Sequence, residues 1–211
     1  GAGRGTSNLV CIWIGEGSAS GIMVDNHLVR GETGNAGEIG YLELGHFVAN
    51  TGIVKDLYTN QRYFGEILSE VNLFDTLKMK LQWNRAQNDN SIHFSTLEEM
   101  LDAGDHGNHI VQDILDEYAY LLMIICMHLI KTINPSLIIL SGRVNENSHY
   151  LIEKVRQLVK QSIMNMPFEP STIVVGQLKD SAGVKGAIAL ALQTIFEPPL
   201  SKRKNHVQTI V

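Results

Sequence analysis

The chain has 211 residues, 44% of them hydrophobic and 18% charged, which is enough apolar material for one sizeable core or two small lobes. Its formal net charge of -5 argues against a chain that grips nucleic acid on its own, because that task needs a concentrated basic surface. The longest apolar run, 119–133, is interrupted by Tyr120, His128 and Lys131 and falls short of the roughly 20 residues of a bilayer span, so it reads as a core helix and no membrane partner is expected.

Residues 1–7 are small and polar, read as linker or tag residues, and contain no apolar signal segment, so a cytoplasmic location is expected. Leu9 to Ile14 reads as a strand and Gly21 to Val24 as its returning partner, with Asp25-Asn26-His27 as a tight turn. The alternation in Gly40-Tyr41-Leu42-Glu43-Leu44 suits another strand with one wet face, and a three-strand meander is the expected result. Between Gly52 and Arg85, the apolar residues Ile53, Leu57, Phe64, Ile67, Leu68, Val71 and Leu77 recur at helical intervals, so helices broken near Gly65 and Asn72 are expected. Residues 84–91 read as a polar loop, and Ser95-Thr96-Leu97-Glu98 as a capping box.

From about Asn108 to Ile133 a long helix carries an apolar sector opposite Asp113, Asp116 and Glu117, and becomes apolar nearly all round in its second half. Such a helix is buried on two sides, within the fold or against a partner subunit. Pro135 stops it, and Leu137 to Leu140 is a buried strand turning at Ser141-Gly142. An amphipathic helix follows through Leu151, Ile152, Val155, Leu158, Val159 and Ile163, then a loop bounded by Pro167 and Pro170, and a strand from Thr172 to Gly176. Ser181 or Asp180 is expected to cap a last helix in which Gly183, Gly186 and Ala187 allow close backbone approach. The tail, 198–211, reads as flexible, with Lys202-Arg203-Lys204 a solvated run. Cys11 and Cys126 lack metal-ligand spacing and read as small core residues of a reducing compartment. His106 and His109 read as surface histidines.

Glycine concentrates in two loops, Gly15-Glu16-Gly17-Ser18-Ala19-Ser20-Gly21 and Gly31-Glu32-Thr33-Gly34-Asn35-Ala36-Gly37-Glu38-Ile39-Gly40. A strand ending in such a loop suggests phosphate or sugar handled by main-chain N–H groups, and the second loop presents a carboxylate, Glu38. These stretches resemble the ROK family of bacterial sugar kinases and sugar-responsive repressors. In that family a G-T-G-I-G-A-G loop, a D-G-x-L turn and R-G-x-x-G-x-A-G-E-x-G-H follow one another. Here Gly15 to Ile22, Asp25 to Leu28 and Arg30 to Gly40 stand in the same order, with Tyr41 in place of the histidine. The segment from Asn134 to Gly142 is similar to the family's N-P-x-x-I-x-x-G-G, and Ala182 to Leu190 to its closing A-G-x-x-G-A-A helix.

The resemblance covers 8–197 and implies an α/β fold: the C-terminal lobe of an actin-like, ribonuclease H-like ATPase, with a mixed sheet, the meander, βα units and a helical insertion at about 52–108. It implies sugar-binding roles for Glu38, Tyr41, Asn35 and Gly34, and a phosphate-loop remnant at Gly15, Gly17, Gly21, Gly142 and Gly183. The family's general base, an aspartate of an upstream N-D pair, has no counterpart before Gly15, and Asp25 matches a hairpin-turn aspartate. Glu16 stands where the family has a small hydroxyl residue, and a carboxylate there repels a triphosphate. The family's C-x-C-G-x-x-G-C-x-E loop is absent; with Gly52-Ile53-Val54-Lys55 as its remnant, Lys55 replaces a second sugar-binding glutamate. Neutral tyrosine is a poor zinc ligand, so neither structural zinc nor another metal is expected, and ATP is not an expected cofactor. The expectation is the sugar-sensing, dimerising part of a ROK regulator, responding to a sugar or sugar phosphate and reaching DNA only through a separate N-terminal domain. A sugar-kinase lobe and a ligand-free dimerisation module are the alternatives.

Overall fold

Strand β1 (Leu9–Ile14) shows why a sheet forms here: Val10, Ile12 and Ile14 are fully buried, while the alternate Trp13 is exposed. It pairs antiparallel with β2 (Ser18–Val24), which pairs antiparallel with β3 (His27–Leu28). The β2–β3 connection holds Asp25 and Asn26 at φ 50° and 63°, the two left-handed positions of a tight hairpin turn that Asp and Asn tolerate. The Asn8 side-chain oxygen accepts from the Asp25 N–H at 3.0 Å and fixes that turn to the chain entering β1.

The computed structural model describes residues 1–43, 48, 50–58, 60–87, 94–163 and 172–196. They fall into two units, Gly1–Gln177 and Leu178–Val211. In the first, β1 also pairs in parallel with β4 (Leu137–Ser141), and β4 with β5 (Ile173–Val175), giving a mixed sheet of order β3-β2-β1-β4-β5. Its helices include α1 (Phe64–Ile67), α2 (Glu70–Gln87), α3 (Leu97–Asp105), α4 (His109–Ile133), α5 (Arg143–Glu146) and α6 (His149–Ser162). α4 is the hub: α2, α3 and α6 pack on it, and Leu121 to Met127 are buried together with Val10, Ile12 and Ile14 of β1 in one core. Asn108 caps its start by accepting from the Val111 N–H at 3.2 Å, and Asn134, at φ 49°, ends it ahead of Pro135.

The meander is present with His27–Leu28 as its third strand; of the strand expected over 40–44, residues 40–43 form none and 44 lies outside the described residues. Ile39–Tyr41 is a 3-10 turn instead, because Gly40 packs where any side chain would meet the Ser18 carbonyl at 2.4 Å. Gly65 and Asn72 lie inside helices; the break falls at Leu68–Ser69, and Asn72 ties it by donating to the carbonyls of Leu57 (2.9 Å) and Ile67 (2.8 Å). α2 continues through Asn84 to Gln87, and 88–93 lie outside the described residues. The capping box of α3 sits one residue later than expected: Thr96 accepts from the Glu99 N–H, and the Glu99 carboxylate accepts from the Thr96 N–H. Residues 1–7 form turns that close on Leu9 and Ile139, beside which Gly3 leaves no room for a side chain. Pro167, Pro170 and 198–211 lie outside the described residues.

The second unit holds a 3-10 turn, Lys179–Ser181, and α7 (Ala182–Phe196). The Ser181 hydroxyl donates to the Leu178 carbonyl rather than capping α7. Gly183 and Gly186 both lie within α7. Val184, Ile188 and Ile195 are exposed. Among the described residues no helix is long and apolar enough to cross a membrane.

Candidate functional site

The turn from β1 to β2 is held at both ends. The Gly15 N–H donates to the Gly17 carbonyl at 2.8 Å, and the Gly15 carbonyl accepts from the Glu70 N–H, also at 2.8 Å, so the start of α2 fixes the loop. The second glycine loop is stapled to β2: the Gly37 carbonyl accepts from both the N–H (2.7 Å) and the hydroxyl (2.9 Å) of Ser20. Gly37 has φ 92° and lies so close to the Ser20 carbonyl that no other residue fits. This staple places Glu38 at the head of the 3-10 turn, with Ile39 anchored in the core and Tyr41 exposed beyond it.

A third segment closes the site. Gly65 of α1 comes against Gly40 and the Ser18 hydroxyl, both so near that a methyl group would clash, which brings Tyr63 and Glu66 beside the 3-10 turn. Tyr41 and Tyr63 meet edge to face at 5.7 Å between ring centres, and one Glu66 carboxylate oxygen accepts from the Tyr63 N–H at 3.1 Å. Together these segments enclose an open pocket of about 350 Å³, lined by Glu16, Gly17, Ser18, Glu38, Gly40, Tyr41, Tyr63, Gly65 and Glu66. The Ser18 hydroxyl oxygen is buried in its wall with no hydrogen-bond partner among the described residues. Carboxylates that accept in pairs, tyrosine hydroxyls and aromatic faces are the chemistry that holds a polyol ring.

Of the residues expected at a sugar site, Glu38 and Tyr41 line this pocket, whereas Gly34 and Asn35 lie on the exposed loop outside its lining. Glu66, Tyr63 and Ser18 were not expected there. Lys55, assigned above to the position of a second glutamate, is exposed and outside the lining, and Glu66 occupies the pocket instead. Among the phosphate-loop glycines, Gly17 lines the pocket, Gly15 is buried beneath the Trp13 ring, Gly21 lies on β2, and Gly183 belongs to the second unit. Gly142, at φ 103°, sits against the Ile14 carbonyl. Its N–H donates to the Glu146 carboxylate at 3.2 Å, which also accepts from the Ser141 hydroxyl at 2.7 Å.

A second hollow of about 310 Å³ lies between α2, the start of α3 and Arg143, lined by Val71, Phe74 and Leu97 among others. The Arg143 guanidinium donates to Glu98 (Nε to Oε1, 3.0 Å) and lies 3.8 Å from Glu70. That hydrogen bond holds the Glu98 carboxyl below its ordinary range. Behind β1, burial and then the Glu146 charge push the Cys11 thiol up. His106 and His109 are exposed, and among the described residues no three His, Cys, Asp or Glu side chains converge on a metal-sized point.

The glycine loop and the Glu38 turn stand in the order of the motifs quoted above, and the ROK family model matches residues 1–194. The chain belongs to the ROK family. Among ROK relatives it is 24% identical over 198 residues to the xylose repressor of Caldicellulosiruptor bescii, covering 92% of this chain and 48% of the repressor. It is also 24% identical over 192 residues to the glucokinase of Halalkalibacterium halodurans, covering 88% of this chain and 56% of that enzyme. Among solved structures, the ROK glucokinase of Streptomyces griseus, in complex with glucose and AMPPNP, superposes with a TM-score of 0.72 at 24% identity over 92% of this chain and 63% of that one. A ROK transcriptional regulator described as a homologue of the E. coli MLC protein superposes with a TM-score of 0.60 at 20% identity, over 80% of this chain and 41% of that one. The fold is therefore that of the actin-like ROK sugar kinases. The chain spans about half the length of the curated relatives it matches.

Proposed function

We propose that this chain is the effector-sensing lobe of a ROK transcriptional regulator, with a sugar held in the pocket between Glu38 and Glu66. The observation that carries the reading is the lining of that pocket, in which three carboxylates, two tyrosines and an unpartnered serine hydroxyl surround a volume of about 350 Å³, one of the carboxylates being Glu16, at the position the family resemblance gives to the phosphate loop. Each carboxylate accepts hydroxyl hydrogens in fixed directions, and charge-assisted hydrogen bonds of this kind contribute on the order of 1.5–3 kcal/mol. Two features weigh against a triphosphate on the phosphate-handling side: the Glu16 carboxylate is repulsive, and the Gly142 N–H donates to Glu146. Sugar bound against this lobe shifts its closure on a first lobe and so the spacing of DNA-reading arms in a homodimer, a linkage that requires different sugar affinity in the two states.

Replacing Glu38 by Gln in the full-length protein is expected to weaken hexose or pentose binding by about 10–100-fold, the equivalent of one charge-assisted hydrogen bond. Isothermal titration checks this, and unchanged affinity removes the sugar-site assignment. The second reading, a lobe of a sugar kinase, is favoured by the higher TM-score to the glucokinase. ATP-dependent phosphorylation of the bound sugar by the full-length protein is the outcome that replaces the regulator reading with this one.

A further inference from the structure

We infer that the Glu38 pocket reads the charge of the sugar's substituents, taking an amine-bearing sugar in preference to its neutral parent and turning away phosphorylated or uronic sugars. The inference rests on the sugar-pocket reading above and narrows its ligand class. Three carboxylates, Glu16, Glu38 and Glu66, line one pocket, and among the described residues that line it there is no Lys, Arg or His. The cation beside it, Arg62, stacks over the Tyr63 ring at 5.3 Å, but its guanidinium is held by Glu43 at 2.6 Å.

Glu66 spends one carboxylate oxygen on the Tyr63 N–H, and no described donor within the pocket offsets the charges of Glu16 and Glu38. The three side chains do not converge on a metal-sized point, so their field fills a volume instead of fixing a single ion. What fits such a volume is a polyol ring whose hydroxyls satisfy the Ser18 oxygen and the carboxylates, with an ammonium as one substituent. The exposed ring of Tyr41 adds favourable contact for a cation and none for an anion. A phosphate or carboxylate substituent meets three like charges lining one open pocket.

The test is calorimetric titration of the full-length protein with sets of one ring in three charge states, at a pH where the amines are protonated: glucose, 2-amino- and 6-amino-deoxyglucose, glucose 6-phosphate and glucuronate, with the mannose and galactose sets alongside. In the set that binds, the amine is expected about tenfold tighter than its parent, the anion more than tenfold weaker, and both ratios should shrink as salt rises. E16Q, on an exposed turn, should lower the amine-to-parent ratio at least threefold, with circular dichroism confirming its fold. An amine that binds no better than its parent overturns the inference while leaving the sugar reading intact. So does a preference that salt and E16Q both leave unchanged. Failure of every ring to bind removes both.

Discussion

Glu117 sits on α4 beside Asp113 and Asp116, and by helical spacing it belongs to their wet face. It is nevertheless 8% exposed, and its carboxylate accepts from the Asp56 N–H at 2.9 and 3.1 Å and from the Leu57 N–H at 2.9 Å. The donors are main-chain groups of a distant segment with no side-chain signature, so nothing in the spacing marks this residue. Glu117→Gln, which turns an amide donor toward those N–H groups, should cost about 1–3 kcal/mol of stability, read as a lower urea midpoint at unchanged slope. Glu38 was legible for the opposite reason: the glycines around it are required by the close approach of Gly37 to Ser20 and appear in the sequence as a motif. Glu66 carries the same kind of approach through Gly65, but a single Gly-Glu step inside an apolar helical pattern has no flanking glycines to announce it. Glu98 has a pH consequence. Its pKa is lowered in the folded state by Arg143, so the stability it contributes is present above the unfolded value and is lost as pH falls through the lower folded value. With 42% of its side chain exposed, the contribution is below about 1 kcal/mol, and Glu98→Gln should flatten the acid limb of a stability-pH profile by that amount while leaving the neutral and alkaline limbs parallel.

At the scale of elements, α4 was readable almost to the residue, since an apolar run, Asn108 at one end and Asn134-Pro135 at the other are all local signals. The segment 40–43 was not, because so short an alternation suits a strand only if no neighbour forbids it, and the Ser18 carbonyl against Gly40 does. The breaks in the insertion were misplaced for a related reason: Gly65 is present for close packing and Asn72 for its side-chain amide, neither for interrupting a helix. The burial of α4 has a chemical effect. Cys126, fully buried in its second half, has its thiol pushed up to about 12 by desolvation alone. In the native protein Cys126 should therefore label with a thiol reagent only as fast as the molecule unfolds. Mass spectrometry of the modified peptide checks this, and fast labelling at neutral pH would mean that α4 opens locally. Both edges of the sheet are short, with two residues in β3 and three in β5, which limits the unpaired backbone offered to other chains.

For the whole molecule, the βα order after Pro135 made the α/β class and the mixed sheet legible, and the family motifs placed the meander at the front. What they left open is the chemistry of the Glu38 pocket, which depends on three segments meeting and on nothing that any one of them displays. The β1–β4 pairing joins Leu9 to Leu137, so the centre of the sheet is sealed by a strand that leaves the ribosome long after the hairpin it completes. At about 5–20 residues per second, synthesis of the intervening chain takes on the order of ten seconds, far longer than the microseconds in which a hairpin forms. Through most of that interval Val10, Ile12 and Ile14 lack both α4, with which they share one core, and a neighbour on β1's open side, so the nascent hairpin keeps its apolar residues exposed until α4 and β4 arrive.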